Sequence, residues 1–243
     1  PMTLGLGQRV AFYAPMKSPH DDVPSGDREM ARNLMAVIGA SGAKVDLVSD
    51  LKIYDKHGNP DVQEDLHIQA KAEAARLIRD LPQTDLWVTY HNYYKAPDLI
   101  GPIVARARGI PYVQIESTRA NSRLTGAWAS FAKAAHDACD AADVIFYLTA
   151  HDLITLERDR YGSQKLEHLP PFLPTDILPH ASTVSGPMLT VGMMRKGDKL
   201  ASYRIIADTL AALSGDWQLH IAGDGPARPE VEALMAAFGT RLT

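Results

Sequence analysis

The chain has 243 residues, with 25 Lys and Arg against 29 Asp and Glu, a net charge of −4, nine His and one Cys. This balance excludes the basic excess of a nucleic-acid binder, and a lone cysteine, Cys139, excludes an internal disulfide framework or a Cys-based zinc site. No apolar run approaches the ~20 residues of a membrane-spanning helix, and Pro1-Met2-Thr3-Leu4-Gly5 lacks the features of a secretory signal, so a cytoplasmic globular protein is expected.

The apolar run Arg9–Ala14, stopped by Pro15, predicts a buried strand. A polar loop from Lys17 to Gly26 follows, with Ser25 as the candidate cap of a helix over Asp27–Ala40. Lys44–Val48 predicts a second strand, which completes a βαβ unit. The alternation continues with helix 64–81, strand 85–90, helix 97–108, a C-cap at Gly109, strand 110–115, one long helix 121–142, strand 143–148 and a helix opening at Thr149 or His151. Strands alternating with helices predict a parallel sheet covered on both faces.

The proline-rich stretches 169–174 and 177–179 read as a linker. Beyond it the pattern restarts with strand 188–192, helix 200–213, strand 217–222, a Gly223-Asp224-Gly225-Pro226 turn and helix 229–238. The predicted division is a first domain over 1–178 and a second over 183–243. Two parallel strands without disulfide or metal are marginal alone, so the second domain reads as unfinished.

Leu189-Thr190-Val191-Gly192, then Arg195-Lys196-Gly197-Asp198-Lys199, a helix, and Leu219–Pro226 together resemble the donor half of family 4 glycosyltransferases. Ser25-Gly26 before the first helix resembles the glycine-bearing loop of their acceptor domain, and Leu169–Phe172 their interdomain segment. The resemblance implies an α/β protein of GT-B-like fold: an N-terminal Rossmann-like doubly wound sheet that binds the acceptor, plus the first βαβα part of a second Rossmann-like domain that binds a nucleotide sugar. It also implies retaining transfer of a sugar from a nucleoside diphosphate donor to a glycan or lipid-linked hydroxyl, with no cofactor; the nine histidines show no H-x-x-x-H or H-E-x-x-H spacing, so no metal is expected.

Departing phosphates need positive charge, and a strand end before a helix N-terminus supplies a place for it. Arg195, Lys196 and Lys199 occupy such a loop and are the donor phosphate candidates. Met193 stands where the family usually has arginine, so Arg195 takes that role. Gly223, Asp224, Gly225 and Pro226 follow the next strand, beside the nucleotide on the resemblance. In the first domain His91-Asn92 and Glu116 to Arg119 each follow a strand. His91 and Glu116 are the catalytic candidates, and Ser25, Gly26, Asn92 and Arg119 the acceptor-binding ones.

Trp128 and Phe131, flanked by Arg119, Arg123 and Lys133, are candidates for peripheral membrane contact. The family's downstream Glu-x7-Glu element has no match after Phe238, so this chain is expected to be inactive or nearly so. The alternative is a non-catalytic Rossmann-like module whose open second sheet is completed by a partner chain. Homo-oligomerisation is compatible with both readings, and a GT-B-like epimerase is a third reading.

Overall fold

The run Arg9–Tyr13 forms β1, with Val10 through Tyr13 almost wholly shielded from water. The computed structural model describes residues 5–175 and 177–243; Pro1–Leu4, on which most of the signal-peptide reading rests, lie outside the described residues. The chain divides after residue 176 into two compact units.

In the first unit β1 is joined by β2 (Lys44–Ser49), β3 (Leu86–Asn92), β4 (Tyr112–Ser117), β5 (Val144–Tyr147) and β6 (Lys165–His168). All pairings are parallel, in the order β2-β1-β3-β4-β5-β6. The chain steps from β1 to one side and returns with β3 on the other, which puts the topological switch point between β1 and β3. β6 was not expected. Its sequence Lys165-Leu166-Glu167-His168 has a single apolar residue, which suits an exposed edge that charges keep from pairing further.

Alternate residues of the strands feed two cores. Ala11, Tyr13, Trp87 and Tyr112 enter one, with Ala70 and Leu77 of α2 (Pro60–Asp80), Val104 of α3 (Gly101–Arg108), Phe131 and Cys139 of α4 (Ala129–Ala141) and Leu156 of α5 (Ala150–Arg158). Val10, Phe12, Val88 and Tyr90 enter the other, with Ala31 and Leu34 of α1 (Gly26–Ala40). Burying each large side chain contributes about 1.5–3 kcal/mol. Leu169 and Phe172 pack against this second core, so the start of the proline-rich stretch belongs to the first unit.

Several ends follow from capping. Ser25 Oγ accepts from Arg28 N–H at 3.1 Å and starts α1 as anticipated. Asn59 caps α2 and Pro60 opens it, four residues before the expected start. Gly109, at φ 63° and ψ 35°, ends α3 in the left-handed conformation. The single helix expected over 121–142 is instead two short 3₁₀ turns followed by α4; Gly126 at φ 76° interrupts the helical path.

A buried polar network ties β3 and β4 to α3. Asp98 Oδ2 accepts from Thr89 and from Tyr112 Oη (2.7 Å), and Asp98 Oδ1 accepts from Ile100 N–H (2.9 Å) and Gly101 N–H (2.7 Å). Burial pushes the Asp98 carboxyl up. Gly101 is required there, since a Cβ would overlap Asp98 Oδ2 and sit 2.6 Å from Trp87 Nε1.

The second unit pairs β7 (Met188–Val191) with β8 (Leu219–Ala222) in parallel. α6 (Asp198–Ala212) and α7 (Arg228–Met235) contribute Leu200, Tyr203, Leu210, Val231 and Met235 to a small core. Leu189 and Val191 remain 66% and 73% exposed. On the other edge of β8, Ile221 N–H donates to Thr243 O at 2.8 Å and Leu242 bridges Leu219 in parallel.

Candidate functional site

Two sets of residues gather at strand carboxyl ends, one in each unit. In the first unit His91 and Glu116 are non-glycine residues with left-handed backbone, at φ 70° and 58°. They stand at the same level of the β3–β4 pair, between the Tyr90–Ile115 and Asn92–Ser117 partners. The left-handed bend turns each away from the regular ladder, and such strain gathers where a site fixes a side chain.

Asp27, in the first turn of α1, approaches His91 from across the switch point, with Oδ1 at 3.6 Å from His91 Nδ1. That nitrogen is buried and has no hydrogen-bond partner among the described residues. His91 holds the Asp27 carboxyl below its ordinary range, against the opposing effect of partial burial. The imidazole packs between Tyr90, at 5.7 Å between ring centroids, and Tyr93, at 4.8 Å. Burial pushes the Tyr90 phenol far up, and the Glu116 and Asp27 carboxylates add to it.

The acceptor candidates separate in this geometry. Ser25 Oγ is occupied as the α1 cap, and Gly26 is the first residue of that helix with open space above its Cα. Asn92 is fully buried: its amide donates to Ala135 O at 3.0 Å and accepts from Asp98 N–H at 2.9 Å, so it braces the strand end from below. Arg119 is 3% exposed and pairs through Nη1 with Asp140 Oδ1 at 2.7 Å, so it faces α4. Phe131 is core and meets His67 edge-on at 5.6 Å, which leaves Trp128 alone of the aromatic pair near the surface. Cys139 is buried, its thiol pushed up to about 12 by burial.

In the second unit the loop after β7 and the turn after β8 are knitted together. Gly192 N–H donates to Ala222 O (3.0 Å), Met194 N–H to Asp224 O (2.9 Å) and Ala227 N–H to Met194 O (2.9 Å). Gly223 and Gly225 are glycines because a Cβ on either would overlap the backbone oxygens of Gly192 and Met194. Their close approach is therefore first to the protein's own chain. Asp224 Oδ1 accepts from Gly225 N–H at 2.8 Å and lies 3.7 Å from Arg228 Nη1.

Arg195, Lys196 and Lys199 are exposed and flank the N-terminus of α6, where Gly197 offers no side chain as a cap. Among the described residues none of the three forms an ion pair with a carboxylate. Unpaired cations beside the positive end of a 15-residue helix favour a bound anion. Among the described residues no group of three or more His, Cys, Asp and Glu converges as for a metal ion, and no helix is long and apolar enough to cross a membrane. Asp27 is the residue of this site that the sequence reading does not reach. The signal for Asp27 was an acidic first-turn residue in the helix after the first strand, which meets His91 only once β3 lies beside β1.

No protein-family model matches the chain, and no curated protein matches it. Among solved structures it is similar to the lipopolysaccharide outer core galactosyltransferase WaaB in its apo form, at 14% identity and a TM-score of 0.54, over 97% of this chain and 67% of that one. It is also similar to a UDP-glucosyltransferase from Polygonum tinctorium capable of glucosylating indoxyl, in complex with 3,4-dichloroaniline, at 9% identity and a TM-score of 0.51, over 97% of this chain and 71% of that one. The fold is that of the GT-B glycosyltransferases. The chain spans about two thirds of the length of these structures.

Proposed function

We propose that the chain belongs to an enzyme that moves a sugar from a nucleoside diphosphate donor to a hydroxyl acceptor. The observation that carries this is the trio Arg195, Lys196 and Lys199, unpaired at the α6 N-terminus of a GT-B second unit. On this reading the trio binds the diphosphate, and the Gly223–Pro226 turn lies beside the nucleotide. The first unit binds a glycan or lipid-linked acceptor around His91 and Glu116.

The reaction proceeds with retention. The bond from the sugar C1 to the diphosphate oxygen breaks, the acceptor oxygen bonds to C1 on the same face, and its proton passes to the leaving phosphate. The cations stabilise the charge that develops on that phosphate. His91 and Glu116 hydrogen-bond sugar hydroxyls and fix the approach. No cofactor or metal takes part, and the enzyme works in the cytoplasm, peripheral to a membrane where its acceptor is lipid-linked.

The test is transfer of labelled sugar from UDP- and GDP-sugars to glycan acceptors, with the product anomer read by NMR. A retained anomer supports the reading; an inverted one overturns retention.

The exposure of Leu189 and Val191 on β7 favours a second reading, a binding module whose second sheet is completed by another chain. A stable hetero-assembly without nucleotide binding would support it.

A further inference from the structure

Beside His91 the loops after β3 and β4 carry side chains that neither donor binding nor the His91–Glu116 pair uses. Tyr94 and Trp128 meet edge to face, with ring centroids 5.3 Å apart at 86°. Lys95 Nζ lies 5.7 Å from the Tyr94 centroid and 5.6 Å from that of Trp128, and Arg123 Cζ lies 5.2 Å from Tyr94. The rings continue to the candidate site: Tyr94 touches Tyr93 at 5.6 Å, and Tyr93 touches His91.

The neighbouring segment 52–58 adds charge of the same sign. It is tied on by Asp55 N–H donating to Lys95 O at 3.0 Å and by Gly58, where a Cβ would lie 3.1 Å from Trp128 Cε2. Lys52 Nζ stands 5.7 Å from the Tyr54 ring. The segment's one carboxylate, Asp55, is buried and committed to the N–H groups of His57, Gly58 and Asn59 and to Gln63 Nε2. Among the described residues Lys52, Lys95 and Arg123 form no ion pair.

Cations held over ring faces keep a fixed direction while their other N–H groups stay available to a ligand. Arg in particular matches the geometry of a phosphate. Ring edges and faces next to them accept the apolar C–H face of a sugar. We propose that Tyr94, Lys95, Arg123 and Trp128 form a subsite for an acceptor of one chemical class, a sugar ring carrying a phosphate. The proposal rests on the reading that the first unit holds the acceptor, and it names that acceptor's charge.

The test is titration of the full chain with a hexose 6-phosphate, the neutral hexose and inorganic phosphate, read by Trp128 emission. A Trp128→Phe variant shows which part of the signal belongs to that ring. Charge-assisted contacts predict saturable binding of the hexose phosphate, about tenfold or more tighter than either the hexose or phosphate alone. The double variant K95Q/R123Q should remove that preference while leaving any nucleotide-induced thermal shift in place. Equal binding of the hexose phosphate and the neutral hexose overturns the proposal. So does equal binding of inorganic phosphate, or binding only to phosphatidylglycerol vesicles and not to the soluble ligand. If nucleotide sugars fail to bind while the hexose phosphate preference persists, the transferase reading fails and the subsite stands.

Discussion

His91 and Glu116 stand at the same level of the β3–β4 pair, between the Tyr90–Ile115 and Asn92–Ser117 partners, and both hold a backbone conformation that side-chain-bearing residues rarely adopt. A left-handed residue with a Cβ costs about 1–2 kcal/mol. The two strained positions lie next to the switch point between β1 and β3, where doubly wound sheets bind ligands.

The strain has a direct consequence. His91→Gly should be more stable than His91→Ala by about 1 kcal/mol, because both lose the ring and only glycine relaxes the backbone. Glu116→Gly against Glu116→Ala should behave alike. Urea unfolding checks it; at an ordinary position glycine is the less stable of the two, and that order here contradicts the strain.

Asp27 carries a pH dependence. Its carboxyl is lowered in the folded chain, chiefly by His91. A lowered carboxylate contributes stability that is present above its unfolded pKa and is lost as pH falls through the folded one. Asp27→Asn should therefore lower stability at neutral pH, where the contribution is fully present, and flatten the profile below the ordinary carboxylate value of about 3.9, where wild type and variant converge. Unfolding midpoints across that range decide it, and a profile that keeps the wild-type slope counts against the pairing. The carboxylate is 41% exposed, so solvent and salt reduce the effect.

Gly223 is constrained by the backbone of Gly192. Gly223→Ala should destabilise the second unit by about 1–3 kcal/mol through overpacking, with the first unit unchanged. Limited proteolysis followed by mass analysis separates the two units. Equal resistance of wild type and variant would show that the loops can part at little cost.

Much of the fold was legible because buried parallel strands are continuous apolar runs between helical periods: β1 at Arg9–Tyr13 and the Ser25 cap follow from local pattern alone. β6 was hidden, since an edge strand such as Lys165–His168 has no apolar run to betray it. The break before α4 depended on Gly126 adopting a positive φ, which composition does not specify. His91 and Glu116 could be placed at strand ends from the alternation, but their left-handed geometry and the nearness of Asp27 arise only from strand order. Asn92 and Arg119 looked like site residues by the same position, and the direction of each side chain sent them into the protein.

The central claim is that the α6 N-terminus with Arg195, Lys196 and Lys199 binds a nucleoside diphosphate. Thermal unfolding with and without UDP, GDP and their sugars, repeated on R195Q/K199Q, tests it most directly. Ligand at one hundred times its Kd adds about 2.7 kcal/mol, a shift of several degrees in the second unit's transition. The account predicts that shift with at least one nucleotide and its loss in the double variant. An equal shift in wild type and R195Q/K199Q, or no shift with any nucleotide, would contradict it.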